Sequence, residues 1–215
     1  MSRLTARAKS SPYHHGDLKN ALIQAGVKIL SEEGVSGLSL RKVAHEAGVS
    51  HAAPYAHFED KEALLAAIST EGYRRLYRAI QVAVDRHRDD AAAQLVEGAW
   101  AYVKFALDDR AHFQLTMSGA VENEQRYPAL VETSRQSFAL VVTIVEACQE
   151  QGVLRKGLPH LVAVGVWSLM HGFVSLLLEN QIPRAVRAGL PVRTMLVATL
   201  NQMATVDLNE IDGRQ

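Results

Sequence analysis

The 215-residue chain has one cysteine, Cys148, which excludes a disulfide framework within it and argues against a cysteine-based zinc site. It has no excess of either charge: Lys plus Arg and Asp plus Glu number 23 each. Bulk electrostatics therefore announces neither a nucleic acid nor a membrane, and any such surface must be local. The opening residues, Met1 to Ser10, lack the apolar run of a secretory signal, so the cytoplasm is the expected compartment. Also missing are Gly-x-Ser-x-Gly, a phosphate-binding glycine loop and a paired nucleophile and base. The His14-His15 pair, His112 and His160 have no metal-ligand spacing. Neither catalysis, a metal nor a cofactor is expected.

What is present is a core: 48% of residues are hydrophobic and only 21% charged, a composition that folds. The run from Leu161 to Leu178 has no formal charge and approaches the length of a membrane span. Its Ser168, His171, Ser175, Gly165 and Gly172 dilute it, and it stands alone, so a buried helix with no membrane is the expectation. Periodicity is helical throughout, with no alternating strand. Leu18, Leu22, Ala25 and Ile29 form one stripe, with Asp17 placed to cap it and Gly34 to stop it. Ser39 caps a short segment ending at Gly48, Ser50 opens a second closing near His57-Phe58, and Asp60 caps a long helix. Further helices are expected over 91–107, 109–119, 128–151, 159–180 and 191–208, with Pro128, Pro159 and Pro191 in their first turns. The expected fold is all-α, with about nine helices. A three-helix helix-turn-helix domain over 1–60 precedes a larger helical domain over 61–215.

The two short helices carry the functional signal. Leu40 to Ser50 reads as helix, glycine turn and new N-cap, with Ala44 and Ala47 small enough for two helices to cross closely. The start of the second helix then projects outward, where it can enter a major groove. From Val43 to Leu65 the chain resembles the DNA-binding signature of the TetR family of bacterial transcriptional regulators. The matching positions are Ala44, Ala47-Gly48-Val49-Ser50, Tyr55, His57-Phe58, Lys61-Glu62 and Leu64-Leu65. Trp167, His171 and Gly172 further resemble the Trp-His-Gly type of C-terminal domain in one branch of that family.

The chemistry of these residues suits the resemblance. Tyr55 and His57 each offer a donor to a phosphate oxygen, while Phe58 turns into the core. Lys61 sits in a first helical turn, where a cation opposes the helix dipole, and a phosphate would give it a partner. Ser50 is a cap whose helix terminus also attracts phosphate. The resemblance places Arg41 at a DNA-contacting position, on guanine or on a phosphate. Where the family usually has Gly-Thr-Leu, this chain has Ala52-Ala53-Pro54, which trades one hydroxyl for methyl groups able to meet thymine methyls. His51 is then the most polar side chain at the tip, reading bases or contacting a phosphate or water. Arg3, Arg7, Lys9 and Lys19 make a basic arm that either follows the DNA or is a solubilising tail.

The resemblance implies a homodimer on double-stranded, near-palindromic DNA, released by a small apolar or amphipathic effector. Candidate effector-lining residues are Trp100, Phe105, Phe113, Phe138, Trp167 and His171, each with a core role as the alternative. Placed at helical intervals, Gly165, Ser168, Gly172 and Ser175 form a small-residue stripe expected to face a second subunit. Trp167, His171, Val174 and Leu178 lie opposite, toward the interior. Cys148 continues the stripe of Phe138, Val141 and Val145 and reads as a core thiol. The competing function is a DNA-associated structural or adaptor protein, which would have a filled core and an exposed apolar patch instead of a cavity.

Overall fold

A computed structural model describes residues 17–209 of the chain. Arg3, Arg7 and Lys9 of the basic arm and the His14-His15 pair lie outside the described residues. Among these there are nine α-helices and no strand: α1 Leu18–Gly37, α2 Leu40–Glu46, α3 Lys61–Val84, α4 Ala91–Asp108, α5 Arg110–Met117, α6 Pro128–Glu150, α7 Pro159–Leu178, α8 Arg184–Arg187 and α9 Val192–Leu200.

Local chemistry accounts for most boundaries. The Ser39 hydroxyl accepts from the Lys42 amide at 3.2 Å, and the carboxylates of Asp60 and Asp90 accept from Ala63 and Ala93. Asp17 stands at the N-cap of α1 without a side-chain capping bond, and Gly34 (φ 70) kinks α1 rather than ending it. The short α8 was not foreseen. The last helix ends at Leu200, well before 208, because the following chain folds back across the α6–α7 connection. There the Thr205 amide donates to the Val153 carbonyl at 2.9 Å, and the Asn201 side chain accepts from the Leu208 amide.

Two apolar clusters organise the chain. The smaller joins α1, α2 and Phe58 to Leu64, Leu65 and Ile68 of α3, and draws in Leu115, Val121 and Leu130. The larger begins at Leu76 of the same helix and takes in α4, α6, α7 and α9. The packing therefore divides inside α3, beyond the boundary expected between 60 and 61. In α7, Val166, Met170, Phe173, Val174, Leu177 and Leu178 are buried, whereas Ser168 and Gly172 are exposed. Cys148 is fully buried and donates to the Ala91 carbonyl at 3.2 Å; burial pushes its thiol up to about 12, as suits an inert core thiol.

Between the clusters α3 crosses α5 at Gly72, where an added Cβ would stand 2.1 Å from Thr116 Oγ1. That oxygen is buried without a hydrogen-bond partner, so the contact tolerates no extra atom. Gly72→Ala is expected to cost ~1–3 kcal/mol in urea unfolding, and adding Thr116→Ala should recover most of the loss.

Candidate nucleic-acid interface and ligand cavity

The helix-turn-helix is built from backbone geometry first. At the end of α2 the amides of Ala47 and Val49 reach back to Val43 and Ala44, and Gly48, at φ 68, supplies the left-handed residue this reversal needs. The second element is a 3₁₀ turn, Ala53–Ala56, and not the α-helix expected. Pro54 is the reason: it has no N–H to send to the Ser50 carbonyl, which accepts instead from Ala53, one residue nearer, at 3.0 Å. The Ser50 hydroxyl consequently makes no capping bond, correcting its expected role; Ala52 stands at the N-cap. Pro54 and Phe58 are buried and anchor the turn from below.

This anchoring turns polar groups outward. His51, Ala52, Tyr55 and His57 are exposed, Ala53 is half-buried, and Tyr55 keeps 55% of its surface open despite its apolar ring. Arg41 on α2 is exposed and forms no ion pair with a described residue, while its neighbour Lys42 is paired with Glu33 at 2.5 Å. Lys28 and Glu46 pair at 2.6 Å and tie α1 to α2. Lys61 has a partner that sequence reasoning missed. Its Nζ donates to the Val35 carbonyl at 2.6 Å, past the Gly34 kink, and so fastens the end of α1 to the start of α3.

The larger cluster borders a half-open cavity of about 560 Å³. Its wall comes from Tyr73, Leu76 and Ile80 of α3, Leu95, Gly98, Ala99 and Tyr102 of α4, and Val131 to Val145 on one side of α6. Val166, Trp167 and Met170 of α7 close it, with Met117 and Glu124 at one end. Of the six aromatic side chains proposed from sequence, Phe138 and Trp167 line it; Trp100, Phe105, Phe113 and His171 do not. The four are corrected by what they touch. Arg193 lies over the Trp100 ring at 5.6 Å and pairs with Glu97. Phe113 sits edge-on to Tyr102 and stacks on His171 at 5.9 Å, with Phe105 beside it.

His171 Nδ1 and the Tyr102 hydroxyl lie 3.1 Å apart in a hydrogen bond that joins α7 to α4. Burial raises the Tyr102 phenol far above its ordinary value, so it stays protonated. Trp167, expected inside, is 41% exposed and lies at the rim against Phe138, ring centres 6.2 Å apart. The cavity wall is mostly aliphatic, and aliphatic residues at helical spacing read the same whether they meet one another or empty space. The small Gly98, Ala99, Ser134 and Ser137 were the available signal.

Beneath the cavity, Asp109 pairs with both Arg75 and the buried His112, whose Nδ1 is 2.8 Å from the carboxylate. This ties α3 to the α4–α5 junction. Among the described residues no cluster of three or more His, Cys, Asp or Glu is placed to hold a metal.

A bared helix-turn-helix joined through one shared helix to a larger helical body with a cavity defines the class, a DNA-binding regulator. Comparison with known proteins agrees. Residues 22–68 match the family model for bacterial regulatory proteins of the tetR family, and residues 95–200 match the tetracyclin repressor-like C-terminal domain. The regulator YobS of Bacillus subtilis is 22% identical over 169 residues, covering 79% of this chain and 83% of its own. The nicotine-responsive transcriptional repressor HdnoR of Paenarthrobacter nicotinovorans is 32% identical over 102 residues, covering 46% of this chain and 53% of its own. A solved structure of a protein of unknown function from Rhodococcus sp. RHA1 superposes with a TM-score of 0.73 at 34% identity, covering 91% of this chain and 100% of that one. The chain belongs to the TetR family of transcriptional regulators, which are DNA-binding proteins.

The Lys61 bond separates two roles for one side chain. Lys61→Met is expected to lower stability by about 0.5–1 kcal/mol in urea unfolding without DNA. A lysine serving only as a phosphate ligand would leave the unfolding midpoint unchanged or raised, since its cation opposes the helix dipole.

Proposed function

We propose that the protein is a cytoplasmic, homodimeric repressor that binds a near-palindromic operator through residues 1–60. Residues 61–215 dimerise and hold an apolar or amphipathic effector. The observation that carries this reading is the outward set of Arg41, His51, Tyr55 and His57 on a turn anchored by Pro54 and Phe58. Tyr55, His57, Ser50 and the remaining donors of Lys61 contact phosphates; Arg41 and His51 reach base edges, and the methyls of Ala52 and Ala53 meet thymine. Two such turns about 34–36 Å apart would enter successive major grooves. An effector lowers affinity only by binding better to a conformer whose turns miss that spacing. The 560 Å³ cavity supports an effector-bearing regulator over an adaptor with a filled core.

Dimerisation is assigned to α7. Leu161 (67% exposed), Gly165, Ser168, Gly172 and Leu176 (50%) recur at three and four residues, and an added Cβ at Gly172 meets nothing within 4 Å. An apolar stripe with small residues at its centre allows close helix-on-helix packing with a second copy. The Trp-His-Gly type of C-terminal domain is supported by the way His171 joins α7 to Tyr102 and Phe113.

Footprinting with the protein's own upstream DNA tests the whole reading; absence of protection at low salt overturns it. His51→Ala should change which bases are preferred, whereas Arg41→Ala should weaken specific binding by about 1–3 kcal/mol if it grips guanine. Gly172→Arg, at the centre of the α7 stripe, should yield monomers in sedimentation and lose operator protection. A variant that stays dimeric removes α7 from the interface.

A further inference from the structure

The charges at the cavity mouth narrow what the effector is. Two charged side chains line the cavity, Glu124 and Arg135, and they are not equivalent. Arg135 is already neutralised: its Nε donates to Glu132 at 3.1 Å and its Nη2 to the same carboxylate at 2.9 Å. That fork is a bidentate pair within one turn of α6, so an anionic ligand would have to compete with Glu132 for the guanidinium. Glu124, on the 3₁₀ turn Glu124–Arg126, forms no ion pair with a described residue. Its neighbour Arg126 turns the other way, to Glu59 and Glu62. The mouth is therefore left with one uncompensated negative charge.

The polar groups behind Glu124 continue in the same sense. Burial and, after it, the Glu124 carboxylate raise the Tyr73 phenol above its ordinary value, and Tyr73 in turn acts on Tyr102 deeper in the wall. The cavity lining thus combines one carboxylate, Glu124, with two phenols, Tyr73 and Tyr102, the second already hydrogen-bonded to His171. Beyond these groups the wall is hydrocarbon: Leu76, Ile80, Leu95 and Ile144. A carboxylate and aromatic faces attract a cation, and the aliphatic remainder accepts an apolar body.

We propose that the effector is an amphipathic organic amine, bound as the cation, with its nitrogen at Glu124 and Tyr73 and its apolar body among Leu76, Ile80, Leu95 and Ile144. The inference rests on the cavity being the effector site. Acids of the same shape bind less well, because Arg135 is occupied by Glu132 and Glu124 repels them.

Calorimetric titration of the full chain with phenylbutylamine, phenylbutanol and phenylbutyrate tests it, since the three share a body and differ in head group. The amine should bind about five- to tenfold more tightly than the alcohol, and the acid most weakly. Glu124→Gln should reduce the amine-over-alcohol preference to about one. If the alcohol and acid bind at least as well as the amine, or the amine's preference survives Glu124→Gln, the amine assignment is overturned while the cavity remains an effector site. If none of the three binds, the effector reading of the cavity falls and the amine assignment falls with it.

Discussion

A single helix held in two cores is the constraint on which the rest of the molecule depends. Leu64, Leu65 and Ile68 of α3 are buried with the DNA-binding unit, and Leu76, Ile80 and Val84 of the same helix are buried with the larger body. Its 24 residues span about 36 Å without a break. Tyr73, Leu76 and Ile80 also form part of the cavity wall. The helix that presents these three side chains to the cavity is therefore the one that begins at Lys61, directly after the helix-turn-helix. The close crossing at Gly72 and the Asp109 pairs with Arg75 and His112 set where that helix rests on α5.

The helix-turn-helix face sorts its polar groups into those that hold the fold and those left outward. Lys28 and Lys42 are committed to carboxylates between α1 and α2, and Lys61 to the Val35 carbonyl. Arg41, His51 and His57 remain outward, on a surface shaped by the buried Pro54 and Phe58. The proline compresses the recognition element into a 3₁₀ turn, so the side chains that meet a groove are spaced differently from those of an α-helix.

Much of the fold was legible in the residues because capping and periodicity are local. Ser39, Asp60 and Pro128 mark helix starts where expected, and the long stripe of α3 is as its spacing implied. Departures came where a proline within the same turn, or contacts between distant segments, decided the outcome. Ser50 was read as a cap, but Pro54 redirects the carbonyl bond that would have placed it there. Trp100, Phe105, Phe113 and His171 carry both a ligand and a core reading in the sequence, and the contacts with Arg193, with one another and with Tyr102 fit the second. Nothing in a helical pattern distinguishes an aromatic ring that packs from one that faces a void.

The residues alone determined that this is a helical protein with a helix-turn-helix near its start, because hydrophobic spacing, caps and the Gly48 turn act within a few positions of one another. They also determined which polar groups of the turn face outward, since an apolar anchor beside a polar position sorts the two to opposite sides. Only the tertiary structure decided where the cavity lies, that Glu124 is left unpaired at its mouth while Arg135 is not, and that α3 belongs to both cores. Each of these depends on contacts between segments far apart in the chain, and such contacts leave no period or motif to read.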